Sequence, residues 1–175
     1  DDHIGHGKTG YDGGTLGDPH SGGYETYLKD EKQLHDIAAA DYPALPYLMF
    51  GHSWGSMLAR AYAACYGEDL TALMLCGLCS QWKGCEEAYE NEEFRAAYEA
   101  DPYQPAGPWF GRVFSGMTDR IANPNGPSDW IANDPRVVAD HGSDMFNTFD
   151  TTLVLGWDFV QLYHFIENPQ WAEKV

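Results

Sequence analysis

Residues 47–64, YLMFGHSWGSMLARAYAA, set a single hydroxyl between two glycines: Gly51, Ser53 and Gly55 make a G-x-S-x-G pattern, with His52 and Trp54 in its variable places. Such a pattern carries chemistry when a buried strand turns abruptly into a helix, because the turn holds the serine oxygen proud of the sheet edge. A serine placed there is a nucleophile for acyl transfer once a neighbouring base takes its proton. Glycine is expected on both flanks, since side chains would clash in so tight a bend. A helix beginning at Ser53 directs its N-terminal N–H groups toward a developing oxyanion, and the backbone N–H of Trp54 is the natural donor. His52 alternates away from the serine hydroxyl and is assigned a packing role. The competing reading, a surface serine in a glycine turn, requires neither a strand before it nor a helix after it.

Both flanking elements are predicted independently of the motif. YLMF at 47–50 is too short and too apolar for a surface helix and suits a strand buried on both faces. From Ser53 to about Tyr66 the residues read as a helix, with Gly67 as its stop signal. LTALMLCGL at 70–78 is a second buried strand. The connection through a helix is long enough for a parallel crossover, so residues 47–78 form one β-α-β unit and the class is α/β. Upstream, residues 1–23 are glycine-rich, without hydrophobic periodicity, and read as loop. Tyr24, Tyr27, Leu28, Leu34, Ile37 and Ala38 follow helical spacing to about Asp41, where Pro43 and Pro46 close the segment. Beyond Ser80 the chain is acidic and helical over 82–101, rich in proline, glycine and aromatics over 102–129, and helix-like again over 130–171. This half is expected to be a helical layer beside or over the sheet. Some of its aromatics would line an apolar pocket suited to an acyl group.

Composition narrows the partners. Ten basic against 27 acidic residues give a net charge of −17, which repels phosphate backbones and anionic lipid surfaces, so nucleic acid is excluded as a partner. A 43% apolar and 14% aromatic content supports a folded core of about one domain in 175 residues. No run approaches the roughly 20 apolar residues of a membrane span, and the N-terminus has no signal-peptide pattern. The chain opens on Asp1 rather than Met, which implies an upstream segment. Cys76 and Cys79 form C-x-x-C with Cys85 beyond, but no second close pair or nearby histidine completes a zinc site. Cys76 falls in an apolar run where a buried thiol acts as a small hydrophobe. Unpaired cysteines fit a reducing compartment, and the expected localisation is cytoplasmic.

DDHIGHGKT at the start, DYPALPYLMFGHSWGS through the elbow and WAEKV at the end resemble the lysophospholipase and monoacylglycerol-lipase branch of the α/β-hydrolases, which is of serine aminopeptidase type. The similarity covers essentially the whole chain. It implies Ser53 as catalytic nucleophile, Trp54 as an oxyanion donor through its N–H, and an active-site loop of Asp2, His3, Gly5, His6 and Gly7. It also implies a core over 1–79, a helical cap over 80–168 covering an acyl pocket, and a return to the core at 169–175. Relatives commonly carry Met or another apolar residue where Trp54 stands, which points to an altered pocket floor.

In such proteins a further oxyanion donor lies before the segment matching Asp1, and the triad's acid and histidine follow strands beyond the segment matching Val175. The resemblance therefore implies a partial α/β-hydrolase fold completed by missing N- and C-terminal segments. Internal pairs in the required chain order exist, Asp140 with His141 and Asp150 with His164. Adjacent helical residues do not face each other, and both pairs fall in the cap. His3 and His6 have metal-like spacing but sit in a glycine loop that the family uses without metal. The expectation is a serine hydrolase of carboxylic esters, acting on a lysophospholipid or monoacylglycerol, with no metal or cofactor. Two alternatives stand beside it: a catalytically silent fragment or ligand-binding module lacking the triad Asp and His, and a peptidase acting at a peptide N-terminus on the same fold.

Overall fold

The computed structural model describes residues 1–20 and 22–172, with the side chain of Ala172 excluded. It comprises two compact units, Asp1–His20 with Glu90–Gly156 and Ser21–Tyr89 with Trp157–Val175. Of the expected return segment 169–175, residues 173–175 lie outside the described residues.

The second of these units contains the β-α-β motif. Strand β1 (Leu48–His52) leads into helix α3 (Trp54–Tyr66), a 3-10 turn (Gly67–Asp69) and strand β2 (Ala72–Cys76). The strands pair in parallel with Leu48 opposite Ala72 and His52 opposite Cys76, as the crossover length requires. Helix α3 lies against both strands. Its Met57, Leu58, Ala59, Ala61, Tyr62 and Ala63 are buried, and each large apolar side chain among them contributes about 1.5–3 kcal/mol of transfer free energy. Helix α2 (Glu25–Asp41) packs on α3, burying Tyr27 and Leu28.

Burial on both strand faces, which the apolar sequence predicts, is not what the structure shows. In β1 Met49 and Gly51 are buried, whereas Leu48 is 54% and Phe50 62% exposed. In β2 Met74 is 50% exposed, and Cys76 is exposed rather than acting as a small core hydrophobe. The reason is coverage: α3 screens one face, and side chains alternate across a strand, so every second residue faces away from it. The same unit holds α4 (Lys83–Tyr89), the greater part of α8 (Leu153–Glu167) and α9 (Pro169–Ala172).

The other unit is built from short helices: α1 (Gly7–Gly13), α5 (Glu92–Ala100), α6 (Gly107–Val113) and α7 (Pro135–Ser143). Helix α1 corrects the expectation of loop over residues 1–23. The Asp2 carboxylate accepts a hydrogen bond from the Lys8 N–H at 2.9 Å, satisfying a donor of the first turn that no hydrophobic pattern announces. Helices α5 and α7 begin at side-chain caps, Asn91 accepting from Phe94 N–H at 2.9 Å and Asp134 from Arg136 N–H at 2.9 Å. Phe94 stacks on Trp109 with centroids 5.5 Å apart, and Gly156 approaches Ala106, Phe110 and Phe94 closely enough that a methyl group there would touch all three. Among the described residues no strand follows β2; an isolated antiparallel bridge joins Pro105 and Thr152.

Candidate active site

Ser53 is the residue between β1 and α3, with φ 54° and ψ −119°. A non-glycine residue at positive φ is strained by about 1–3 kcal/mol and persists only where its surroundings fix it. Here the fixing contacts are explicit. The Ser53 N–H donates to Cys76 O at 3.0 Å, tying the bend to the end of the neighbouring strand. Its carbonyl accepts from the Ser56 N–H at 2.8 Å and from the Ser56 hydroxyl at 2.6 Å. The helix therefore begins at Trp54, one residue later than the sequence implies, with Ser53 as its N-terminal flanking residue.

The two flanking glycines play different parts. A Cβ on Gly51 would collide with the carbonyl oxygen of Gly55 and lie 2.8 Å from Ala59 Cβ, so the strand and the first turn of α3 are in backbone contact. A Cβ on Gly55 would meet nothing within 4 Å. The tightness of the bend is thus imposed at Gly51 alone. Gly77, at φ 58°, completes the surroundings: a methyl group there would come 3.3 Å from His52 Nε2 and 3.6 Å from Ser53 N. His52 is itself exposed, with its ring beside this glycine.

Trp54 is the first residue of α3, where the backbone N–H has no intrahelical acceptor. Its indole meets the ring of Tyr27 edge-on at 5.3 Å, and Tyr27 is fully buried.

Asp2, His3, Gly5, His6 and Gly7 are drawn together in the other unit. Gly7, at φ 49°, lies against the Asp2 carboxyl so closely that a Cβ would collide with it. Gly5, at φ 76°, accepts from the Gly17 N–H at 2.8 Å, and a Cβ on Gly5 would lie 2.9 Å from Pro19 N. His6 Nδ1 bonds to Ile4 O at 3.0 Å, and its ring meets Phe149 edge-on at 6.0 Å. Burial lowers the His6 pKa below the ordinary histidine value, the strongest influence on it. His3 Nδ1 is 3.8 Å from Asp1 Oδ2.

Of the internal histidines weighed as a base, His164 is exposed and stacks on Tyr89 with centroids 3.6 Å apart, and His141 sits in the last turn of α7. The four cysteines are free thiols. Cys85 is buried, and burial pushes its thiol well above the ordinary value. A groove of about 270 Å³ is lined by Arg60, Ala64, Leu73, Leu75, Phe165 and Trp171, with Ile166; Ser53 is not among its lining residues. Sequence reasoning missed Arg60, which lies in no motif, and weighed Cys79 only in a C-x-x-C pattern, whereas it is the Cys79 carbonyl that meets Arg60 near the elbow.

A parallel strand-helix-strand unit whose crossover opens on a strained serine defines an α/β-hydrolase elbow. Comparison with known proteins agrees with that class: residues 1–173 match the family described as serine aminopeptidase, S33, and the chain belongs to it. The chain is 29% identical over 143 residues to a monoacylglycerol lipase from Mycolicibacterium smegmatis (strain ATCC 700084 / mc(2)155), covering 82% of this chain and 43% of that protein. It superposes on a highly thermostable carboxyl esterase from Bacillus coagulans, solved in complex with glycerol, with TM-score 0.91 and 42% identity over 99% of this chain and 56% of the esterase. A lipase in an open form gives TM-score 0.89 at 33% identity, over 99% of this chain and 57% of that one. The chain thus spans about half the length of the proteins it matches. No described helix is long and apolar enough to cross a membrane.

Proposed function

We propose that the protein containing this chain is a serine hydrolase that cleaves carboxylic esters through a covalent acyl-enzyme on Ser53. The observation that carries the reading is the backbone of Ser53, held at φ 54° and ψ −119° between a parallel strand and a helix N-terminus. Strain of this kind is retained where it serves to present a side chain. In the proposed reaction the Ser53 hydroxyl attacks the ester carbonyl while a base accepts its proton. The Trp54 N–H, aligned with the positive end of α3, stabilises the tetrahedral oxyanion, the alcohol departs with a proton, and water then hydrolyses the acyl-enzyme.

The acid and histidine of the triad are assigned to segments outside these 175 residues, a reading motivated by the chain's 43% coverage of its curated relative. The helical segment 80–168 is assigned as the cap over an acyl pocket, and Asp2–Gly7 as the active-site loop. A monoacylglycerol or lysophospholipid is the proposed substrate class, supported by the monoacylglycerol-lipase relative and the esterase neighbour. The family description itself favours one second reading, a peptidase acting at a peptide N-terminus.

The test is made on the full-length protein. A fluorophosphonate should add its mass to Ser53, and Ser53→Ala should abolish labelling and lower ester turnover by about 10⁴-fold or more. Labelling that survives Ser53→Ala ends the proposal. A panel of monoacylglycerols, lysophospholipids and aminoacyl amides at equal concentration separates the ester reading from the peptidase reading.

A further inference from the structure

Arg60 lies on α3, seven residues beyond Ser53. Its guanidinium makes three contacts with two other segments. Nη1 donates to Cys79 O at 2.9 Å; Nη2 donates to Ile166 O at 3.1 Å and to Glu167 Oε1 at 3.2 Å. Glu167 also accepts from the Ser80 hydroxyl at 3.5 Å. One planar fork therefore joins α3, the turn after β2 and the C-terminal end of α8, where the last carbonyls lack intrahelical donors.

The turn that Arg60 grips is the one that holds the nucleophile. It begins at Cys76, whose carbonyl accepts the Ser53 N–H at 3.0 Å, and passes through Gly77 at φ 58°. It ends at Cys79, whose thiol donates to Gly77 O at 3.7 Å. Burial raises the Cys79 pKa, so the thiol stays protonated at neutral pH and keeps the hydrogen it donates within the turn.

We infer that Arg60, locked by Glu167, is a positioning residue for the nucleophile: it fixes the Cys76–Ser80 turn, whose Cys76 carbonyl holds the Ser53 N–H, and so fixes the bend that presents the Ser53 hydroxyl before a base takes its proton. Charge alone does not suffice, because three acceptors in two segments must be met at once by a rigid fork. The inference rests on Ser53 being the nucleophile. It adds a residue outside the G-x-S-x-G motif.

The experiment compares wild-type, Arg60→Gln, Arg60→Lys, Glu167→Ala and Glu167→Gln full-length proteins by thermal unfolding, by the rate of fluorophosphonate labelling at Ser53, and by kcat and KM on one soluble ester. Arg60→Gln should slow labelling and lower kcat about ten-fold with KM within two-fold, since misplaced reacting groups lose rate rather than affinity. Arg60→Lys should recover only part of this. Glu167→Ala, which removes the lock on the guanidinium, should cut both rates about three-fold, and Glu167→Gln, which keeps an oxygen acceptor, should restore much of them. Wild-type protein that is not labelled at Ser53 overturns the functional reading itself. If the wild type is labelled, equal labelling rates in Glu167→Ala and wild type overturn the positioning role, whether or not the Arg60 variants fold. So does a loss in Arg60→Gln that appears in KM alone.

Discussion

The strand-helix-strand region and the region formed by residues 1–20 with 90–156 achieve order by different physics. In the first, a single helix buries an apolar face against two paired strands, and one strained residue, Ser53, sits at the junction. In the second, helices of seven to nine residues are held by side-chain caps, stacked aromatics and glycines at positive φ. Periodic burial tolerates most polar substitutions on its open face. Close backbone contact tolerates none at the point of approach. The difference teaches that both regions depend most on positions with no side chain at all, but for unlike reasons: at Gly51 the neighbour is close, and at Gly5 and Gly17 the neighbour is close and the backbone is left-handed as well.

Glycine substitutions therefore give the largest expected separation. Gly51→Ala places a methyl group on the Gly55 carbonyl and should destabilise by about 3 kcal/mol, as overpacking against backbone does. It should also displace Ser53 and abolish labelling. Gly55→Ala opens into space in the first turn of α3 and should be neutral or stabilise by up to about 0.5 kcal/mol. In the other region Gly17→Ala adds positive-φ strain at 81° to a collision with Asp150 O, and should cost at least as much as Gly51→Ala. Urea unfolding of the three variants checks the order. Equal losses in Gly51→Ala and Gly55→Ala would show that the bend is not set by the contact between β1 and α3.

The Asp2 cap comes next in size. Asp2→Ala leaves the Lys8 N–H without its 2.9 Å acceptor and should cost about 1 kcal/mol, whereas Asp2→Asn keeps an acceptor and should cost less. In the 175-residue chain no comparable effect is expected from a polar substitution at Phe50, which is 62% exposed on the face of β1 turned away from α3. Such a pair of variants sharpens the contrast between an ordered loop and a bare strand face.

What could be read beforehand follows the same division. The β-α-β unit was legible because its signals are local and periodic: a short apolar run, a glycine turn, a helix ended near Gly67, a second apolar run. The strand pairing followed from crossover length alone. Burial of both faces was misread because an apolar strand states its preference for cover, not whether cover is present; Leu48 and Met74 are exposed here. Helix α1 was hidden because glycine-rich residues 7–13 carry no hydrophobic period, and its first turn is satisfied by Asp2, outside the helix. The position of Ser53 was visible in the motif, but the asymmetry between Gly51 and Gly55 was not. The Arg60 contacts to Cys79 and Ile166 span 19 and 106 residues, a separation at which a single sequence has no local signature.

The smallest expected effect is a pH dependence that belongs to only one of the two regions. His6 donates from Nδ1 to Ile4 O at 3.0 Å and is held below the ordinary histidine pKa of 6.5, chiefly by burial, with His3 opposing the charge further and the Ile4 carbonyl and Asp2 favouring it. A histidine whose folded pKa is depressed binds its proton more readily when unfolded. Between the folded value and 6.5 the unfolded chain therefore carries more protons, and stability rises with pH there. The contribution is complete above 6.5 and is lost as pH falls through that window. Urea unfolding at pH 7.5 and at successive steps down to pH 5 should show wild-type stability declining faster than that of His6→Gln, whose side chain does not titrate. The comparison is of slopes, so any packing loss in the variant shifts its curve without imitating the result. Parallel acid limbs in the two proteins would mean that the imidazole is as readily protonated in the folded loop as outside it.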